Sequence, residues 1–356
     1  MASTSTTDRK GGRVRRAVLG LVVAALTIMM LPMTGYLVTG VSQAQDAGQQ
    51  ASQDANPRSE YWREVRDGTV GISTVTSQEA NVLIQNGGQN WRQLRNDVIA
   101  VIGAWAIVGI ILALATYHLL TGGNKLEKPL SGEMVDRWSF ADRLIHWYTA
   151  VLFIILTITG LSLLWGRTVL IPVMGPEGFA AWANVAKPLH DYLALFFTAG
   201  LVVMLLKWMK HNFFASYDLN WIMKGGGYLG GGHPKAGFCN AGEKMYYWTL
   251  FFVGGLMVVS GLVLLFPNFG LDREAMQLAN LLHGFSSLFV IGFVCLHIYL
   301  ATFGSPGAFT AMTSGKVDAV WADQHHSVWY EEVKGNQGRS STGGGAHAPA
   351  PAAKMP

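Results

Sequence analysis

The chain has 356 residues, of which 50% are hydrophobic and only 13% charged, and its mean hydropathy is +0.28. Long uncharged runs in such a composition exclude an ordinary soluble enzyme and indicate an all-α integral membrane protein. The net charge of +4 is modest and its basic residues lie in loops without an aromatic-basic patch, so nucleic acid is not an expected partner.

At the N-terminus, Arg9, Lys10, Arg13, Arg15 and Arg16 precede an apolar run over 17–33 and then the small-residue stretch "VSQAQ". This is the pattern of a signal peptide over 1–44, cleaved after about Ala44, with an uncleaved anchor as the alternative. Either way residues 45–97 are exported. They are polar and Gln-rich and mostly lack helical periodicity, which reads as a small, partly disordered extracytoplasmic segment.

Five further runs reach the roughly 20 apolar residues that a bilayer core requires: 98–120, 147–165, 189–208, 246–267 and 278–303. If 45–97 is outside, the loops at 121–145 and 209–245 are cytoplasmic with four Lys/Arg each, and those at 166–188 and 268–277 are outside with two and one. That arrangement obeys the positive-inside rule, although Arg92 and Arg95 stand on the outer side. The segment 121–145 is then a cytoplasmic linker. The tail, 304–356, is also cytoplasmic, and its Gly/Ala/Pro-rich end reads as disordered.

The two cysteines are Cys239, in a cytoplasmic loop, and Cys295, within the last span, so a disulfide between them is not expected. They are too few for an iron–sulfur cluster, and no CxxCH motif attaches a c-type haem. Any haem would be held by ligation alone.

Two spans repeat a pattern. "WYTAVLFIILTITGLSLL" from Trp147 and "WTLFFVGGLMVVSGLVLL" from Trp248 reach Gly160-Leu161 and Gly261-Leu262 at the same distance. Each is followed by a span opening on Leu-His, at His190 and His283. Two related helical hairpins would make a four-helix core over 146–303, with 98–120 as an additional N-terminal helix. Gly160 and Gly261 would allow close approach, either by a helix or by a flat macrocycle.

Histidines inside apolar helices usually mark a pathway or a bound group. His283 and His297 are fourteen residues apart, so they lie roughly 21 Å apart along a helix and on one face of it. By depth His190 pairs with His283 near the outer surface, and His146 with His297 near the inner one. Spacing alone leaves two readings open: two bis-histidine haem sites, or histidines used for packing or proton transfer. His118 and His211, at the cytoplasmic ends of their spans, read as solvated or lipid-facing, and His325 and His326 as surface residues.

"FADRLIHW" from Phe140, "LHD" at Leu189, "NAGEKMYYW" from Asn240, "LLHGF" with "LHIY", and "WADQHHSVWY" from Trp321 together resemble the gamma subunit, cytochrome b, of respiratory formate dehydrogenase. The resemblance covers about Trp138 to Val333. It implies a four-helix bundle holding two b haems, with axial ligands at His146, His190, His283 and His297. It also implies quinone reduction near the inner haem, at Asn240, Glu243 and Lys244 beside His297. Arg143 is a candidate partner for a haem propionate, with a plain positive-inside anchor as the alternative. The implied partners are a molybdenum or tungsten catalytic subunit that oxidises formate outside, an iron–sulfur subunit and membrane quinone. The implied location is the bacterial inner membrane, with the C-terminus cytoplasmic. The signal, the 45–97 segment and the 98–120 span are additions to the compact pattern, and Glu243 stands where relatives can carry Gln. Such a glutamate would serve proton delivery or be a solvated loop carboxylate. Asn240 could instead cap the following helix, with Glu243 completing the box. The rival readings are the cytochrome b of a nickel–iron hydrogenase or another molybdoenzyme and, from a different class, a haem-free transporter or anchor.

Overall fold

The computed structural model describes residues 63–64, 66–68, 86–228, 232–268 and 270–342. The expected signal or anchor, most of the 45–97 segment and the end of the tail lie outside the described residues.

Four long apolar helices dominate: α1 (Gly87–Thr121), α2 (Phe140–Trp208, prolonged by one 3₁₀ turn to His211), α4 (Ala241–Leu265) and α5 (Arg273–Gly304). Between them lies α3 (Asp218–Met223). α2 is two spans in one. Gly175 breaks it at φ 74°, ψ 168°, between Pro172 and Pro176, a conformation open to glycine and next to a residue with no amide hydrogen to give. The two arms fold back on each other. The Trp208 indole donates to the Asp142 carboxylate at 2.9 Å, and the Tyr148 hydroxyl to the Phe196 carbonyl at 3.1 Å. Nearer the turn, Phe179 lies where any side chain at position 166 would stand, so Gly166 is required. These pairs close in on Gly175 in antiparallel order, as a helical hairpin demands. Among the described residues, the four long helices thus hold the five expected apolar runs, α2 carrying two of them.

Helix starts follow from capping. Ser139 accepts from the Asp142 amide at 3.3 Å at the start of α2, Asn240 from the Glu243 amide at 2.9 Å at the start of α4, and Asp272 from the Ala275 amide at 2.7 Å at the start of α5. Each satisfies an amide that the first helical turn leaves unpaired. α1 begins earlier than expected: residues 86–97, polar by composition, continue the helix below them because no proline or cap interrupts the hydrogen-bond ladder.

The α2 hairpin and the α4–α5 hairpin pack into the four-helix core. Leu156, Phe197, Leu201, Met204 and Leu205 from the first meet Tyr247, Met257 and Val290 from the second. α1 lies outside this core, its Ala100, Ala104 and Ile107 packed on Leu161, Trp165 and Leu288. Small residues set the crossing: a β-carbon on Gly103 would strike Leu288, and one on Gly292 would strike Ile110. Large apolar side chains such as Leu206, Phe252 and Phe285 point outward, as lipid contact requires.

The stretches read as a linker and a tail are instead parts of one folded cap over one end of the bundle. Strand β1 (Met134–Asp136) pairs antiparallel with β2 (Lys316–Asp318), Val135 opposite Val317. Helices α6 (Thr310–Thr313), α7 (Ala319–His325) and α8 (Ser327–Thr342) complete it. Val135, Val317, Trp321, Trp329 and Tyr330 form its core, with Phe238 from the loop before α4. Asp318 ties the strands to α7, accepting from the amides of Gly132 at 2.7 Å and Val320 at 2.8 Å. Burial alone would raise its carboxyl, but bonds from Val320, Gly132 and Ser131 outweigh that and hold it below the usual range. The cap also grips α2: Trp147 donates to the Met312 carbonyl at 2.9 Å and Arg143 to that of Thr313 at 2.6 Å.

Candidate functional site

The four histidines of the bundle come together in the two pairs that depth suggested. His190, on the second arm of α2, faces His283 of α5 with ring centroids 6.2 Å apart. At the capped end, His146 faces His297 at the same 6.2 Å. His283 and His297 share one helix, so the pairs stand roughly 21 Å apart along it.

At the far pair, both rings are oriented by their Nδ1 atoms. His190 Nδ1 lies 2.9 Å from the Thr159 hydroxyl, whose own hydrogen is donated to the Ile155 carbonyl at 2.9 Å. His283 Nδ1 lies 2.9 Å from the Met257 carbonyl. With Nδ1–H donating to a protein oxygen, Nε2 of each ring keeps its lone pair, which is how histidines that bind metals are set. The repeated glycines explain why the rings fit. A β-carbon on Gly160 would lie 2.9 Å from His190 Cε1, and one on Gly261 would lie 2.9 Å from His283 Cε1. The capped pair is held by aromatic rings instead. Tyr246 stacks on His297 at 4.9 Å and 7°, and Trp208 lies against His146 at 6.4 Å and 25°. His146 Nδ1 is buried with no partner.

These pairs fit iron in a haem. A metal–imidazole bond of about 2.0 Å on each side, with the inner half of each ring, fills a 6.2 Å centroid separation. Among the described residues, no group of three or more His, Cys, Asp or Glu side chains is placed to hold a metal. An ion between two histidines must therefore bring its remaining ligands, as haem iron does.

The remaining candidate residues separate. Asn240 and Glu243 form a reciprocal capping box: the Glu243 carboxylate also accepts from the Asn240 amide at 2.8 Å. The alternative weighed for Asn240 is thus present, and its side-chain NH₂ remains for another acceptor. Glu243 Oε1 lies 3.8 Å from Arg137. Lys244 is turned away, in a buried ion pair with Asp218 at 2.7 Å. Arg143 spends one nitrogen on the Thr313 carbonyl, while its Nε is buried without a partner.

The surface reading of His325 and His326 is wrong for His326, which is 1% exposed. Its Nδ1 donates to the Gly237 carbonyl at 2.8 Å, and Arg137 Nη2 lies 3.2 Å from Nε2. Burial foremost, and the Arg137 charge next, hold this imidazole well below its ordinary range, so it is neutral. His118 lies 3.3 Å from the Tyr299 hydroxyl, and the His211 ring rests on Phe238 at 4.4 Å, so neither is simply solvated. Sequence reasoning missed Thr159, Trp208, Arg137 and Asp218, and the stacking of Tyr246 on His297. Thr159 had a signal, since it precedes Gly160 as Ser260 precedes Gly261.

Residues 137–315 match the family described as prokaryotic cytochrome b561. The nitrate-inducible formate dehydrogenase cytochrome b556(Fdn) subunit of Escherichia coli (strain K12) is 27% identical over 213 residues, covering 57% of this chain and 93% of that protein. The formate dehydrogenase cytochrome b556(fdo) subunit of the same organism is 28% identical over 206 residues, covering 57% and 94%. A formate dehydrogenase cytochrome b556 subunit of Haemophilus influenzae is 24% identical over 199 residues, covering 53% and 79%.

Proposed function

The chain belongs to the prokaryotic cytochrome b561 family, a membership that implies haem b, and from that premise we propose that it is the membrane cytochrome b subunit of a formate dehydrogenase. On this reading it binds two b haems and passes electrons from exported catalytic and iron–sulfur subunits to quinone. The observation that carries the reading is the pair of histidine pairs, His190/His283 and His146/His297, stacked along one bundle. The names of the similar subunits supply the substrate of the complex.

The far pair lies on the outer side and the capped pair on the cytoplasmic side of the inner membrane, as the loop charges favour. Residues 1–44 direct export, which leaves 45–97 on the outer side, and the C-terminus is cytoplasmic. Haem, when bound, supplies a one-electron carrier at each pair. The chain's own residues do the rest. Through their Nδ1 atoms, Thr159 and the Met257 carbonyl orient His190 and His283 with Nε2 free, so that these two rings would hold the iron. Gly160 and Gly261 leave room for their rings. Tyr246 and Trp208 fix the planes of His297 and His146, and the apolar core between the pairs excludes water. Asn240, at the start of the helix whose Tyr246 stacks on His297, donates its free amide hydrogen to a quinone carbonyl while its oxygen caps α4. Glu243 holds the Asn240 backbone, and Lys244, paired with Asp218, anchors that turn from behind. Arg143, whose Nε is buried without a partner, would pair with a haem propionate. Full inward transfer of one electron costs about 2.3 kcal/mol per 100 mV of membrane potential, which the low potential of formate must supply.

The complex purified from membranes tests the reading. Formate should reduce its b haems and a short-chain naphthoquinone should reoxidise them. Reduction by hydrogen and not by formate would assign the chain to a hydrogenase instead.

A further inference from the structure

A quinone reduced at Asn240 takes up two protons with its two electrons, and the residues assigned to that site do not supply them. Asn240 is an amide, Lys244 is committed to Asp218, and the Glu243 carboxylate is engaged in the capping box, accepting from the Asn240 amide with Arg137 3.8 Å away. A separate set of titratable groups leads from the cap's surface to the same place. Glu127 is exposed, its side chain 69% accessible, and its Oε1 lies 2.9 Å from Nε2 of His233, whose side chain is 23% accessible. The His233 ring faces that of His325 nearly edge-on, with centroids 6.2 Å apart. The gap suits one bridging water rather than a direct bond. A small cavity opens at this point, and His233, His325 and Asn240 all line it, with Tyr228 and Gln324.

The cap holds this alignment on purpose-built bonds. Gln324, next to His325, accepts from the Glu127 amide at 2.9 Å and donates to the Lys125 carbonyl at 3.0 Å, so the carboxylate and the inner imidazole are fixed to one another. His325 Nε2 lies 3.5 Å from the Ser305 hydroxyl. Burial foremost, then His233 and Arg137, hold the His325 imidazole at about 4. The Tyr228 phenol is pushed up to about 12, mainly by burial. Around His325 the titratable and charged groups are therefore His233, His326, Arg137 and the phenol of Tyr228. At neutral pH His325 is uncharged, with one N–H and one lone pair, and it passes a proton on without keeping it.

We propose that Glu127, His233 and His325 form the route by which protons from the capped side reach quinone at Asn240. The proposal rests on the quinone reading of Asn240. Two electrons arrive through the capped histidine pair. Two protons pass from Glu127 to His233, across water to His325, and through the cavity to the two quinone oxygens, giving quinol. Each imidazole is reprotonated from outside.

The test uses the intact complex in nanodiscs, reduced with formate and mixed with a short-chain naphthoquinone. His325→Gln and His233→Gln should keep haem content, haem spectra and formate reduction normal while slowing reoxidation by on the order of 100-fold, the size of general acid–base effects. Millimolar imidazole should restore the rate, which a merely structural role would not allow. Reoxidation at the wild-type rate in His325→Gln overturns the route, and so does a slow rate that imidazole leaves unchanged. Asn240→Asp, run alongside, separates the two claims. A normal rate there means that the quinone site is elsewhere, whereas a slow Asn240→Asp with a normal His325→Gln defeats the route alone.

Discussion

The imidazole of His283 occupies the space in which a β-carbon on Gly261 would stand, 2.9 Å from Cε1 and 3.1 Å from Nδ1. The ring cannot simply back away, because its Nδ1 is bonded to the Met257 carbonyl. Gly261→Ala should therefore tilt His283 and lose the far haem while the capped one stays, read as one fewer haem per chain with the remaining spectrum unchanged. Gly160→Ala should lose the same haem through His190. Full haem content in both variants would mean that the glycines serve only helix packing.

The pairing itself is checked by deletion. His190→Ala and His283→Ala should remove one spectral component, and His146→Ala and His297→Ala the other, in reduced-minus-oxidised spectra. Loss of different components within a pair would break the assignment.

The cap role of Asn240 and its proposed quinone role separate by substitution. Asn240→Ala removes the cap oxygen and should cost about 1 kcal/mol, seen as a lower melting temperature. Asn240→Asp keeps that oxygen, so stability should hold while haem reoxidation by quinone slows. Equal reoxidation rates in wild type and Asn240→Asp would leave the residue a cap alone.

The Lys244–Asp218 pair is buried, with side chains 4% and 3% accessible, and Asp218 Oδ1 already lacks a partner. Lys244→Met strands the carboxylate and should cost about 3–5 kcal/mol. Adding Asp218→Asn should recover much of that loss in a thermal melt. A double variant no more stable than Lys244→Met would show that the lysine's packing, not its charge, matters.

The cap should weaken in acid. Its His325 and His326 sit below the ordinary histidine value of about 6.5, His325 at about 4 and His326 well below. Above pH 6.5 both are neutral whether folded or not. As pH falls through 6.5, the unfolded chain binds protons that the folded cap refuses, so stability drops progressively toward pH 4. Denaturant midpoints followed by tryptophan fluorescence should fall across that window. Constant midpoints between pH 6.5 and 4 would contradict the burial of these two residues.

The membrane passes and the histidine pairs were legible because both depend on local signals: unbroken apolar length for the passes and a fourteen-residue spacing on one helix for His283 and His297. The repeat of a Trp-to-Gly-Leu span followed by a span opening on Leu-His was legible for the same reason. The cap was not. Its core joins Val135, Phe238, Trp321 and Trp329 from three separated stretches with no periodicity. A doubled histidine in a polar run looks exposed until Arg137 and the Gly237 carbonyl close over His326. The stacking of Tyr246 on His297 was not legible, because it depends on how α4 and α5 meet, which no single helix encodes. The capping box at Asn240 needed only three residues of sequence, and it was visible.

The haem count tests the central claim most directly. Pyridine haemochrome absorbance on the purified chain, divided by protein from amino-acid analysis, should give two b haems per chain, all extractable by acid acetone because no covalent attachment motif exists. A ratio near one, or none, would contradict the account of His146, His190, His283 and His297 as two axial pairs.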